Sequence, residues 1–179
     1  MKKIMLVIAL MVAISASAQI EKAKLTASGL TCSMCSKAIY EALIKVKFIE
    51  SVQANIQESS YSISFKKDMP ADLDILRKAV EGAGFSVAKL QVTVNFDNAS
   101  VQNDAMIQLN GKAFHFLHIE PQTLTGAQTL TLVDEHFTNA KEHQKFAQYT
   151  SMKCFVTGIA QACCSKDVGV GQRIYHVTI

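Results

Sequence analysis

Cys32 and Cys35 stand three residues apart in the run Gly29-Leu30-Thr31-Cys32-Ser33-Met34-Cys35. Upstream, Lys22 to Ser28 alternates around Ala23, Leu25 and Ala27, the period of a strand. Downstream, from Met34 to about Val46, Cys35, Ala38, Ile39, Ala42, Leu43 and Val46 recur at the spacing of one helix face. Cys32 is therefore expected in a strand-to-helix loop and Cys35 in the first turn of the helix. Unsatisfied N–H groups and the partial positive charge at a helix N-terminus favour the thiolate over the thiol. Two thiolates on one loop make a soft site that suits a d10 monovalent ion such as Cu(I), which tolerates low coordination. Zn(II) asks for four ligands, and this loop offers two. The same two sulfurs would also serve a disulfide or thiol–disulfide exchange.

The other sulfurs and all the imidazoles lie later in the chain. Five Cys is an odd number, so at least one lacks an intramolecular disulfide partner. Cys154 falls in an expected strand over residues 152–160, and Cys163 and Cys164 in the turn after it. A disulfide from Cys154 to one of the vicinal pair would stabilise this part by roughly 2–3 kcal/mol through loop entropy. The alternative is a second soft-metal site formed by Cys154, Cys163 and Cys164. His115 and His118 are spaced H-x-x-H, but on a strand they point to opposite faces and cannot easily share an ion. They are expected, with His136, His143 and His176, to be scattered over the surface or an interface. All five His nevertheless share this half with three Cys, which keeps a mixed His/Cys site open. No G-x-S-x-G, glycine-rich phosphate loop or H-E-x-x-H occurs, so no catalytic residues are expected and the protein is read as a non-enzyme. Asp134-Glu135 reads as a solvated face, and Asp72 and Asp74 as a helix N-terminus.

The elements that must hold these groups follow from hydrophobic periodicity. Val52, Ala54 and Ile56 alternate, then Glu58-Ser59-Ser60 turns the chain, then Tyr61, Ile63 and Phe65 alternate, which predicts a hairpin. Asp68-Met69-Pro70 ends it. Leu73, Leu76, Ala79, Val80 and Ala83 mark a second helix, closed by Gly82 and Gly84. Ala88, Leu90, Val92 and Val94 form a last strand, giving the order βαββαβ over residues 20–96. The polar run at 97–104 reads as a linker. Residues 105–179 read as a β-rich domain with strands over 106–119, 129–133, 152–160 and 173–179 and a helical connection over 139–149. A small, partly open, five-stranded barrel of the OB type is the expectation. The fold class is α+β.

The G-L-T-C-S-M-C loop resembles the G-M-x-C-x-x-C loop of heavy-metal-associated domains, the fold of copper chaperones and of metal-binding modules in P-type ATPases. The resemblance covers residues from about 20 to 95 and implies that family's ferredoxin-like fold. Gly84-Phe85 matches the family's G-Y or G-F ahead of the last strand, which implies that Phe85 packs beside the metal loop and shields it. Leu30 departs from the family's Met, an apolar plug under the loop, and Leu is a mild replacement there. The resemblance implies capture and transfer of Cu(I) by Cys32 and Cys35, with a metal-transporting ATPase or a second metal-binding protein as partner. Exported relatives that trap Hg(II) use the same two-thiolate geometry, so Hg(II) or Zn(II) scavenging is the alternative. A thiol–disulfide oxidoreductase of the thioredoxin type would usually carry a Trp before the motif and a cis-Pro facing it. The chain has no Trp, and Pro70 and Pro121 are poorly placed for that role.

Residues 1–18 read as a signal peptide: Lys2 and Lys3, an apolar run from Ile4 to Ile14, then Ala16-Ser17-Ala18. The apolar run would span about 16 Å as a helix, roughly half of a bilayer's hydrocarbon, so it is read as a leader and not as an anchor. Export to a periplasm or the exterior is expected, with no membrane-spanning segment after cleavage. Of 18 basic and 15 acidic residues, Lys2 and Lys3 go with the leader, leaving a near-neutral chain without the footprint of a nucleic-acid binder. With 49% hydrophobic and 18% charged residues, a buried core can form without disulfides.

Overall fold

The computed structural model describes residues 20–30, 33–109, 111–162, 164 and 168–179. The leader over 1–18, Cys32 and Cys163 lie outside the described residues. The N-terminal elements follow the alternations that foretell them: β1 (Ile20–Ser28), α1 (Ser33–Leu43), β2 (Ile49–Asn55), β3 (Ser60–Phe65), α2 (Leu73–Gly82) and β4 (Ser86–Val101). All pairings among these strands are antiparallel, with β1 between β3 and β4. Helix α1 buries Ser36, Ile39 and Leu43, and α2 buries Leu73, Leu76 and Val80. The Asp72 side chain caps α2 by accepting from the N–H groups of Asp74 and Ile75. Gly84, at φ +88°, carries the chain out of the helix in the left-handed region that a side chain resists. This is the βαββαβ ferredoxin-like arrangement.

The second half departs from the expected barrel. β5 (Ala105–Leu109), β6 (Lys112–Phe116), β7 (Gln122–Leu132) and β8 (Ile174–Thr178) join the same sheet, whose order is β2-β3-β1-β4-β7-β8-β6-β5. The structure is α+β with one eight-stranded sheet, and the described residues form no separate OB-like barrel. The strand read over 106–119 is the β5–β6 hairpin, turned at Gly111 with φ +71°. The strand read over 152–160 is instead a short helix, α4 (Cys154–Thr157), ended by Gly158 at φ +67°. Between them α3 (Ala140–Phe146), capped by the Asn139 side chain, occupies the helical connection expected there.

The stretch at 97–104 is not a free linker. Asp97 and Asn98 sit at a register shift between Phe96 and Ala99, Asn98 at φ +51°, and the strand resumes to pair Ser100 with Thr123. A bulge inserts residues without ending the strand, so a polar, poorly packed pair can lie mid-strand. β4 thus pairs with β1 on one side and with β7 on the other. One apolar cluster follows it from Ile20, Leu25 and Ile39 through Val92 and Leu130 to Tyr175 and Val177.

Side chains alternate across β6 and β8. Phe114, Phe116, Tyr175 and Val177 face this main cluster. Ala113 and Ile174 join Cys154, Ala160, Cys164 and Val168, while Leu117 joins Val133 and Phe155. The period of two puts these, and His115 and His176, on the opposite face, roofed by the segment around α4. The sheet here is covered on both faces. No helix among the described residues is long and apolar enough to cross a membrane.

Candidate metal sites

The first candidate is the loop between β1 and α1. Its strand end is tied down where Ser28 Oγ meets Ser86 Oγ at 2.7 Å, joining β1 to the start of β4. Gly29 follows at φ +81°, and a Cβ built there would lie 3.9 Å from the Phe85 ring. Phe85 therefore packs against the base of the loop. Leu30 and Phe85 are both half-buried against the main core, as a plug and a shield would be. Helix α1 starts at Ser33, which puts Cys35 in its first turn and partly accessible, with Met34 exposed beside it. Beneath, the buried Tyr61 hydroxyl donates to the Ser36 carbonyl at 3.2 Å and lies 3.0 Å from Ser36 Oγ, pinning this helix end to β3. No acidic residue lies in the first turn, so the helix-end field that favours a Cys35 thiolate is not opposed there.

The second candidate is buried. Cys154 and Cys164 come together, with Sγ atoms 2.9 Å apart, and Met152 Sδ lies 3.9 Å from Cys164 Sγ. Against the expectation of dispersed surface histidines, His115 and His176 are both fully buried. The parallel pairing of β6 and β8 sets them side by side, with ring centroids 5.1 Å apart. His115 Nε2–H donates to Asp104 Oδ1 at 2.9 Å, and His176 Nδ1–H donates to Asp134 Oδ1 at 2.9 Å. The other two ring nitrogens, His115 Nδ1 and His176 Nε2, are buried and meet no hydrogen-bond partner among the described residues. Such an orphaned buried group ordinarily costs about 1–3 kcal/mol. One donor atom each from His115, His176 and Cys154 fall within 4.8 Å of one another.

Asp134 is not solvated as read from the sequence. It is buried, accepts from the backbone N–H of His176 at 2.9 Å, and takes Arg173 Nη1 at 3.2 Å. Burial alone would raise its carboxyl, but bonds to His176 and the Arg173 charge outweigh that and hold it below the usual carboxylate range. Arg173 also reaches back to Asp74 Oδ2 at 2.9 Å, linking α2 to β8. Desolvation, and then the proximity of His176, push His115 below the ordinary imidazole value, so it stands neutral. His118 lies apart from this cluster, its ring on Tyr149 at 4.1 Å between centroids. His143 stacks on Phe155 at 4.4 Å and donates to the Val133 carbonyl. The signal missed in the sequence was the alternation of His115 with Phe114 and Phe116, and of His176 with Tyr175 and Val177. It marks strands buried on both faces.

Residues 24–86 match the sequence model of the heavy-metal-associated domain. This part of the chain is similar to the heavy-metal-associated domain. Among solved structures, the chain is similar to the N-terminal domain of PacS from Synechocystis PCC6803, at 28% identity and TM-score 0.33, over 37% of this chain and 92% of that one. It is similar to oxidised MerP from Ralstonia metallidurans CH34, at 28% identity and TM-score 0.34, over 37% and 94%. A third is the CopZ metallochaperone, at 22% identity and TM-score 0.35, over 37% and 98%. No curated protein matches the chain.

Proposed function

We propose that this is an exported metal-handling protein that captures Cu(I) between the thiolates of Cys32 and Cys35 and passes it on by ligand exchange. The observation that carries this reading is the heavy-metal-associated match over residues 24–86, with Cys35 in the first turn of α1 and Phe85 against the loop base. Thiolates at a helix N-terminus are ionised near neutral pH and bind a soft ion. Partial exposure of Cys35 lets an incoming thiolate reach the ion, so transfer passes through a three-coordinate state before the ion leaves. The receiver is a protein with a thiolate pair of its own, a metal-transporting ATPase or another metal-binding protein. The run from Lys2 to Ala18 supports export, so the working compartment is a periplasm or the exterior.

Competition with a chromogenic Cu(I) chelator under reducing conditions tests the reading. The parent chain withdraws copper from the chelator, and the Cys32→Ser/Cys35→Ser double variant loses that high-affinity capture. A double variant that withdraws copper as well as the parent overturns the assignment. Parallel titrations with Hg(II) and Zn(II) rank the ions, and a preference for either over Cu(I) moves the function from copper transfer to scavenging.

A further inference from the structure

We propose a second metal centre, independent of the Cys32/Cys35 loop: a buried site for Zn(II) or a like divalent ion, held by His115 Nδ1, His176 Nε2 and Cys154 Sγ, with Cys164 as fourth donor. The donor atoms of the first three lie within 4.8 Å of one another, and Cys164 Sγ is 2.9 Å from Cys154 Sγ. Bonds of about 2.0–2.3 Å set tetrahedral donors roughly 3.3–3.8 Å apart, so closure on an ion draws the first three together by up to about 1 Å and parts the two sulfurs by about as much.

Three observations converge on an ion and not on a packed core. First, one nitrogen of each ring, His115 Nδ1 and His176 Nε2, is buried and has no hydrogen-bond partner among the described residues, while each ring's other nitrogen is engaged. A carboxylate only accepts, so Asp104 fixes the proton of His115 on Nε2 and Asp134 fixes that of His176 on Nδ1. Each ring's lone pair is thereby left on its unpartnered nitrogen. Second, this is the carboxylate–imidazole arrangement that orients metal-bound histidines and raises their basicity. Asp134 is itself held by Arg173 and by the His176 backbone N–H, so this carboxylate is fixed in place. Third, the first three donors come from two paired strands and one short helix, and Cys164 from a turn beyond it. The parallel register of β6 and β8 fixes the imidazoles, and α4 brings Cys154 over them.

A mixed set of two imidazoles and two thiolates, closed off from solvent, is the donor set of a four-coordinate structural site. The ion would tie the segment around α4 to the sheet that it roofs. Phe155 meets His176 edge-on at 5.2 Å and lines a surface cleft of about 350 Å³, together with Gly158 and Arg173.

The test uses the full chain carrying Cys32→Ser/Cys35→Ser, reduced and handled without oxygen, so that the N-terminal loop contributes nothing. Co(II) serves as the probe, and Zn(II) as its competitor. The expected result is one equivalent of Co(II), with thiolate-to-cobalt charge transfer in the near ultraviolet and the strong visible absorption of tetrahedral cobalt, displaced by one equivalent of Zn(II). X-ray absorption on the zinc-loaded protein then shows both nitrogen and sulfur neighbours, a readout that needs no ligand variant. Asp104→Asn, outside the ligand set, lowers Zn(II) affinity about 10–100-fold while the far-ultraviolet spectrum is kept. No uptake of Co(II) or Zn(II) by the reduced chain, a shell without sulfur, or uptake of Cu(I) alone overturns the proposal. These outcomes are read without Cys32 and Cys35, so they neither depend on the copper reading nor decide it.

Discussion

Gly29 and Gly158 both sit in the left-handed region, at φ +81° and +67°, but their surroundings differ. A Cβ at Gly29 would meet only the Phe85 ring at ordinary contact distance, 3.9 Å. Gly29→Ala should therefore cost backbone strain alone, about 1–2 kcal/mol. A Cβ at Gly158 would stand 2.6 Å from Arg173 Nη1, an atom that also bonds Asp134 and the carbonyls of Gly158 and Ile174. That guanidinium cannot swing away without giving up Asp134, so Gly158→Ala should cost about 2–4 kcal/mol. Urea unfolding of the two variants checks the ranking, and equal losses would contradict it. At this scale the sequence was legible where a partner lay close by. Cys35 lies in the first turn of α1 and Asp72 at the N-terminus of α2, as their neighbours imply. Asp134 was not legible, because its partners Arg173 and His176 are about forty residues away and two adjacent acids look like surface. His115 and His176 were hidden for the same reason, since only the β6–β8 register joins them.

Among the elements, α2 offers a clean measurement. Its cap depends on Asp72, whose Oδ1 accepts from Asp74 N at 2.9 Å and from Ile75 N at 3.2 Å. Asp72→Ala should lower stability by about 1 kcal/mol, seen as a shift of the urea midpoint with unchanged slope. A change beyond about 2 kcal/mol would mean that Asp72 does more than cap. The strands and helices over 20–96 were readable because each has one buried and one open face, so periodicity shows through. Two segments beyond residue 96 misled for opposite reasons. Phe155, Val156 and Thr157 have strand-forming side chains, yet they lie in α4, where burial of Cys154 and Phe155 and the left-handed turn at Gly158 decide the conformation. Asp97-Asn98 has turn-forming side chains, yet a bulge absorbs it within β4.

For the whole molecule, the shared core predicts a single unfolding transition. Leu130 of β7 is fully buried in the cluster that also contains Leu25, Ile39 and Val92 from the N-terminal half. Leu130→Ala should cost about 2–5 kcal/mol and lower the midpoints of both halves together. Far-ultraviolet circular dichroism and the reactivity of Cys35 with a thiol reagent, followed along one urea series, report on the two regions. Separate midpoints would refute a common core. No pattern in the sequence announces this joining, because each half taken alone presents a plausible set of strands and helices. What fuses them is the outer row of β4, paired with β7 from Gln91 to Val101 on either side of the bulge at Asp97-Asn98. That row also sets an order of assembly. Until β7, Gln122–Leu132, has paired with it, the sheet of residues 20–96 ends on a bare edge of amide and carbonyl groups. During that interval the folding chain is open to pairing with its own copies, so its refolding yield should fall as protein concentration rises.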